Sequence, residues 1–294
     1  MVRIGINPLT WTNDDLPELG DNNSLESCLS EAKLAGYEGV ELGRKFPRDA
    51  KVLGPILKQH ALNLVSGWYS ARLLERSVED EIKAMRPHQE LLTSLGSIVM
   101  VFAEVSRCVH GDRSIPLSKR PRLAENEWKP FCQRLDEIAE YLKNQGLKLA
   151  YHHHMGTVIQ AEDEVDRMMD STKAVGLLLD TGHLTFAGGD PMRALKRHAE
   201  RIVHVHCKDI RQEKLARARR QDSSFLDAVL GDVFAVPGDG SIDFDPILRA
   251  LANHRYSGWL VVEADQDPAK AHPFTHARIG HDCLRPLARR YWKA

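Results

Sequence analysis

The residues best suited to chemistry in this 294-residue chain are its histidines, 14 in all, and the acids that accompany them. Four stretches collect them: Tyr151-His152-His153-His154, Asp180-Thr181-Gly182-His183, His204-Val205-His206-Cys207-Lys208-Asp209 and Glu263-Ala264-Asp265. Each closes a short apolar run. Alternate residues of an extended strand share a face, so His152 and His154 point together, as do His204 and His206. A single HxH pair is more often a hydrogen-bonded rim pair than a metal site. Asp180 alone could cap a following helix, and Glu263 could pair with a basic neighbour. Four successive strands presenting imidazole or carboxylate at one end are a coincidence that such separate accounts do not sustain. Mixed imidazole and carboxylate donors suit a borderline divalent ion such as Mn, Co, Zn or Fe better than Mg or Ca. His60, His88, His198 and His254 fall in helix-like stretches and read as surface or packing residues.

The elements that must position these groups are legible as a repeat. Apolar, often β-branched runs at Arg3–Pro8, Gly39–Gly43, Asn63–Tyr69, Ser97–Ala103, Lys148–His154, Val175–Asp180, Ile202–Asp209 and Gly258–Ala264 read as strands. Runs such as SIVMVFA and VGLLLD show no polar alternation, as expected of parallel strands covered on both faces. Amphipathic stretches follow them. Ser24 caps one that carries Leu25, Cys28, Leu29 and Ala32 on a stripe and stops at Gly36. A second places Phe131, Leu135, Ile138 and Leu142 inward before Gly146, and Asp190-Pro191 and Asp245-Pro246 open two more. Eight such units without an interdomain linker predict an α/β fold, a single (β/α)8 TIM barrel over residues 1–294. Two polar stretches, 107–126 and 211–237, interrupt the rhythm after the fourth and seventh strands. They are read as insertions forming part of the active-site mouth, since barrel enzymes build their sites on that face.

Composition removes other classes. Forty Lys+Arg against 41 Asp+Glu gives a net charge of -1, with no bulk attraction to nucleic acid or anionic membrane. No run approaches the roughly 20 apolar residues of a membrane span, and MVRIGINPLTW lacks the pattern of a signal peptide. Cys28, Cys108, Cys132, Cys207 and Cys283 are odd in number and scattered, with no CxxC pair. Reduced thiols in a cytoplasmic protein are the expectation.

The segments DTGH at 180–183, HVHCKD at 204–209, PGDG at 237–240 and GWLVVEADQDP at 258–268 resemble the xylose isomerase-like barrel superfamily. Within it, GINPLTWTNDDLPELG, GVELGRKFP at 39–47, FAEVSRCVHG at 102–111 and HHHMGT at 152–157 look like the inosose dehydratase family, and the resemblance covers the whole chain. It implies one divalent metal ion, Mn or Co, held by His152, Asp180, His206 and Glu263. His152 stands where most relatives carry a Glu, and His154 is an alternative ligand from the same face. It also implies a small-molecule partner, a cyclic polyol ketone, and leaves homo-oligomerisation open.

The implied reaction is loss of water from 2-keto-myo-inositol to give a trihydroxycyclohexane-1,2-dione. It needs an α-proton removed, an enolate stabilised and a β-hydroxyl protonated as it leaves. Glu263 or His154 is the expected base, and His183 or Lys208 the expected acid. Trp11, Glu41, Trp68, Glu104 and Asp209 are expected to shape the polyol pocket. The nearest competitor is a ketose isomerase or epimerase, which wants a second carboxylate where His152 stands. A phosphodiesterase is disfavoured by the net charge, and a non-catalytic sugar-binding barrel has no need of these four strand ends.

Overall fold

The chain is described by a computed structural model covering residues 2–292. Strands without polar alternation must be covered on both sides, and here they are covered by one another's side chains within and by helices without. In chain order the strands are β1 (Arg3–Ile6), β2 (Gly39–Leu42), β3 (Asn63–Ala71), β4 (Val99–Glu104), β5 (Lys148–His152), β6 (Gly176–Asp180), β7 (Ile202–Cys207), β8 (Asp209–Ile210), β9 (Phe234–Ala235) and β10 (Trp259–Val262). The helices are α1 (Leu25–Leu34), α2 (Ala50–Gln59), α3 (Val78–Ser94), α4 (Glu125–Asn144), α5 (Glu162–Asp170), α6 (Thr181–Phe186), α7 (Pro191–His198), α8 (Gln212–Arg220), α9 (Phe225–Leu230), α10 (Phe244–Asn253) and α11 (Pro273–Tyr291). Strands β1 to β7 and β10 close a parallel barrel, β10 pairing both β1 and β7. The short β8–β9 pair is antiparallel and lies outside it, in the segment after the seventh barrel strand.

The helices follow local chemistry. Ser24 caps α1 by accepting from Ser27 N, and Phe131, Leu135, Ile138 and Leu142 of α4 are buried against the barrel. Gly36 and Gly146 take φ of 102° and 81° just beyond α1 and α4, where a side chain would be strained. One cap differs from the sequence expectation. α10 begins two residues early, with Asp243 rather than Asp245 as its cap, because Asp243 accepts from Asp245 N.

Two strand ends also differ. β5 stops at His152, since the His154 carbonyl is taken by the Thr157 hydroxyl at 2.8 Å in a turn. β7 stops at Cys207, where Lys208 N turns to Thr181 Oγ1 at 3.1 Å. The two insertions meet over this end of the barrel. Arg113 donates to Asp227 at 2.9 and 2.7 Å, Ser118 Oγ to Asp222 at 2.5 Å, and Leu117 N to the Ser223 carbonyl at 3.2 Å. Buried Arg120 anchors the first insertion by donating to Glu164 of α5 at 2.7 Å. No helix among the described residues is long and apolar enough to cross a membrane.

Candidate active site

Strand register brings the expected ligands together. Asp180 lies directly opposite His206 in the β6–β7 ladder, and His206 opposite Val261, two residues before Glu263. Ligand atoms of His152, Asp180, His183 and Glu263 all lie within 4.8 Å of one another. His206 Nδ1 joins them, 2.8 Å from Glu263 Oε2 and 3.6 Å from Asp180 Oδ2. Asp180 does two jobs. Its Oδ1 caps α6 by accepting from His183 N at 2.7 Å, which leaves Oδ2 buried without a hydrogen-bond partner among the described residues. His152 Nε2 stands 3.5 Å from that oxygen. A buried carboxylate oxygen without a proton donor, ringed by imidazole nitrogens and a second carboxylate, is what a divalent cation fits.

Glu41 holds the ring nitrogens in place. It accepts from Nε2 of His204 at 2.8 Å and of His206 at 3.2 Å, and also from Asn7 at 2.7 Å and from Ser66 Oγ. A proton on His206 Nε2 leaves the Nδ1 lone pair pointing away, toward Asp180 and Glu263. This is how a carboxylate behind a ligating histidine fixes its tautomer. Burial opposes ionisation of Glu41, yet the imidazoles of His206 and His204 hold its carboxyl well below the usual range. Asn7 donates to Glu263 as well, at 2.9 Å.

Lys208, fully buried, backs this floor. Its ammonium lies 2.6 Å from Asp265, 2.7 Å from Glu263 and 2.9 Å from His183 Nε2. Burial would discharge the lysine, but the charges of Asp265, Glu263 and Asp180 more than offset it and raise its proton affinity. Burial raises Glu263 too, and the facing His206 and Lys208 bring it down to about 2. Burial and the Lys208 charge keep His183 well below its ordinary range, as a neutral ring.

Above the floor is a cavity of about 270 Å³ lined by Asn7, Asp14, Asp15, Glu41, Trp68, His110, His152, His154, His206, Glu263 and Asp265, among others. That size suits a small polar molecule rather than a nucleotide or a lipid. Trp68 packs edge-on against His152 and His154, with ring centroids 5.4 and 5.5 Å apart. His154 Nδ1 meets the Met155 carbonyl at 2.8 Å, which leaves Nε2 as the acceptor nitrogen.

Other expected residues lie elsewhere. His183 and Lys208 touch the ligand set from behind and are not part of the cavity wall. Trp11 is buried in the main core with its Nε1 bonded to Glu31 at 2.7 Å. Glu104 is sealed beneath the rim, its carboxylate taken by the backbone N–H groups of Leu73 at 2.6 Å and Ser106 at 2.8 Å. Asp209 accepts from five backbone N–H groups, those of Ile210, Gly238, Gly240, Ser241 and Ile242, and so folds the loop before α10. In all three, main-chain or core partners take up the polar atoms that a substrate would need. In exchange the cavity gains Asn7, Asp14, Asp15, His110 and Asp265, to which the sequence reading gave no role. Asp265 shares parity with Glu263, a signal that was available. His110 had none, lying in an aperiodic insertion.

Residues 29–287 match the family described as xylose isomerase-like TIM barrel. The rhizopine catabolism protein MocC of Rhizobium meliloti is 51% identical over 98% of this chain and 89% of its own length. The inosose dehydratase of Geobacillus thermodenitrificans is 45% identical over 97% and 96%. The IolI protein, solved with a bound zinc atom, superposes with a TM-score of 0.72 at 17% identity and covers the whole of both chains, a likeness of fold alone. The chain belongs to the xylose isomerase-like TIM barrel family and, within it, to the inosose dehydratases. It is an enzyme of the hydro-lyase class.

Proposed function

We propose that this enzyme dehydrates 2-keto-myo-inositol, with His152, Asp180, His206 and Glu263 holding one divalent cation, Mn or Co. The observation that carries the reading is the unbonded Asp180 Oδ2 amid imidazole and carboxylate at the floor of a sugar-sized cavity. The full-length likeness to inosose dehydratases supplies the substrate. When bound, the ion supplies Lewis-acid polarisation of the ketone, an effect of several kcal/mol on the barrier to enolisation.

His154 and Glu263 were equal candidates for the base. Both oxygens of Glu263 are engaged, Oε1 by Lys208 and Oε2 by Asn7 and His206, whereas His154 Nε2 is uncommitted. His154 therefore removes the α-proton. The electron pair of that C–H bond passes reversibly into the enolate and, in a second step, becomes the double bond between the α- and β-carbons as the β-hydroxyl leaves. Water departs, and the resulting enol ketonises to the 1,2-dione. Lys208 supports the floor by holding Glu263 ionised, His183 stands beside the Lys208 ammonium, and Trp68 walls the ring of the polyol. Segments 107–126 and 211–237 form the mouth of this single-domain enzyme. Among the described residues all five cysteines are free, which fits a cytoplasmic setting.

The test is incubation of Mn- or Co-loaded protein with 2-keto-myo-inositol while following the ultraviolet absorbance of the conjugated dione enol. Rising absorbance that requires the metal supports the reading. No absorbance, together with epimerisation of ketoses, replaces it with the isomerase alternative.

A further inference from the structure

Elimination needs an acid as well as a base, and the acids expected from the sequence do not reach the cavity. The groups that do, apart from the floor, are Asp14, Asp15, His110, His154 and Asp265. Asp265 is held by Lys208, and His154 is spent as the base. His110 remains. It lies in the first insertion, its ring 5.1 Å from that of His154. Its backbone is pinned by Val109 N donating to the Gly156 carbonyl at 2.9 Å, so closely that a Cβ on Gly156 would come within 2.9 Å of His110 N. Its Nε2 faces Asp15 Oδ1 across 3.7 Å, longer than a hydrogen bond and open to a third group. Asp15 is set there by Asn13, whose side chain accepts from the backbone N–H of Asp15 at 2.9 Å.

We propose that His110 is the acid that protonates the departing β-hydroxyl and that Asp15 is the positioning residue that sustains its imidazolium. The assignment rests on the dehydratase reading above. As the bond between the β-carbon and oxygen breaks, its electron pair leaves with the oxygen. That oxygen takes the proton from His110 Nε2 and departs as water. His110 is then neutral and is reprotonated from solvent at the mouth. Base and acid thus stand side by side, one ring spacing apart, on the rim that faces the floor. Burial lowers the proton affinity of His110 and the Asp265 charge raises it, while burial pushes Asp15 up to about 6. The titratable groups facing the His110 ring are Asp15 on the loop after β1, His154 after β5 and Asp265 after β10.

The experiment follows two signals on one sample of metal-loaded enzyme in deuterated water: release of the dione, and wash-in of deuterium at the α-carbon of recovered 2-keto-myo-inositol. His110→Gln should lower dione release by roughly 10²-fold or more while deuterium wash-in continues, because the base is intact. Asp15→Asn should leave KM within a few fold and shift the alkaline limb of the dehydration rate to lower pH. Removing the carboxylate weakens proton binding by His110, so the acid form is lost earlier as pH rises. Unchanged dione release in His110→Gln, or wash-in and release falling together, overturns the assignment. Wild-type enzyme that shows neither wash-in nor release overturns the dehydratase reading itself and the assignment with it.

Discussion

At the floor of the cavity Asp180, His206 and Glu263 stand at the ends of adjacent barrel strands, each buried and fixed by a hydrogen-bonded ladder. At its mouth Asp15 and His110 stand on loops, partly exposed, and meet across a 3.7 Å gap with no ladder behind them. The floor is a close-packed charge network: one ammonium among three carboxylates, and one glutamate behind two imidazoles. Such a network fixes atoms well and tolerates little change, because breaking one partner strands the others. The mouth is held by exposed ion pairs and single hydrogen bonds between two insertions. It can therefore differ between relatives without disturbing the floor, and it is the natural place for specificity and proton delivery to be adjusted.

The largest expected effect is at the floor. Asp180→Asn keeps an oxygen to cap α6 but removes the unbonded carboxylate oxygen that faces His152 and His206. The variant should fold, lose its divalent ion by elemental analysis, and fall in dehydration rate by about 10³-fold, the scale of several kcal/mol of lost barrier reduction. A variant that kept both metal and rate would show that the network is structural and would erase the contrast between floor and mouth.

The next effect is an order smaller. In Glu41→Gln one of the two oxygens that His206 Nε2 meets at 3.2 Å becomes an NH2 and the charge behind the imidazoles is lost, so the His206 tautomer is no longer fixed. Metal affinity, measured by competition with a chelator, should weaken by about 10–100-fold with the fold intact. An unchanged affinity would place Glu41 among the substrate contacts expected from the sequence.

The same contrast explains what the sequence could reveal. Floor residues are carried on strands, where a period of two ties sequence spacing to a shared face. His204 and His206 therefore read as sharing one face, and both turn Nε2 to Glu41. The barrel was legible for the same reason, since eight unalternating runs have few other ways to be covered. Loops have no period. Nothing in RCVHGDRS distinguishes His110 from a solvated histidine, because what makes it a cavity residue is backbone contact with Gly156 from another loop. Asn7 hid behind an ordinary role: its Oδ1 caps the turn at Leu9 while its Nδ2 bridges Glu41 and Glu263. Glu104 and Asp209 show the converse. At strand ends a carboxylate aimed at substrate and one that collects backbone N–H groups look alike until the loops are in place.

The smallest expected effect tests the mouth by itself. Arg113 and Asp227 join the two insertions through side chains 58% and 41% exposed, where an ion pair contributes roughly 0.2–1 kcal/mol and fades with salt. Arg113→Ala should therefore barely move the midpoint of urea unfolding. The walls it joins nevertheless carry His110 on one side and Phe225 on the other, and the Phe225 ring packs 5.0 Å from that of His154. Loosening them should raise KM a few fold, more at low salt than at high salt, and lower kcat by no more than a few fold, because His110 is still pinned by Val109 N on the Gly156 carbonyl; metal content stays as in the wild type, because no floor atom has moved. If kcat instead falls as it does for Asp180→Asn, the mouth and the floor form one cooperative unit. The weak ties between the insertions would then be part of the catalytic frame rather than of its entrance.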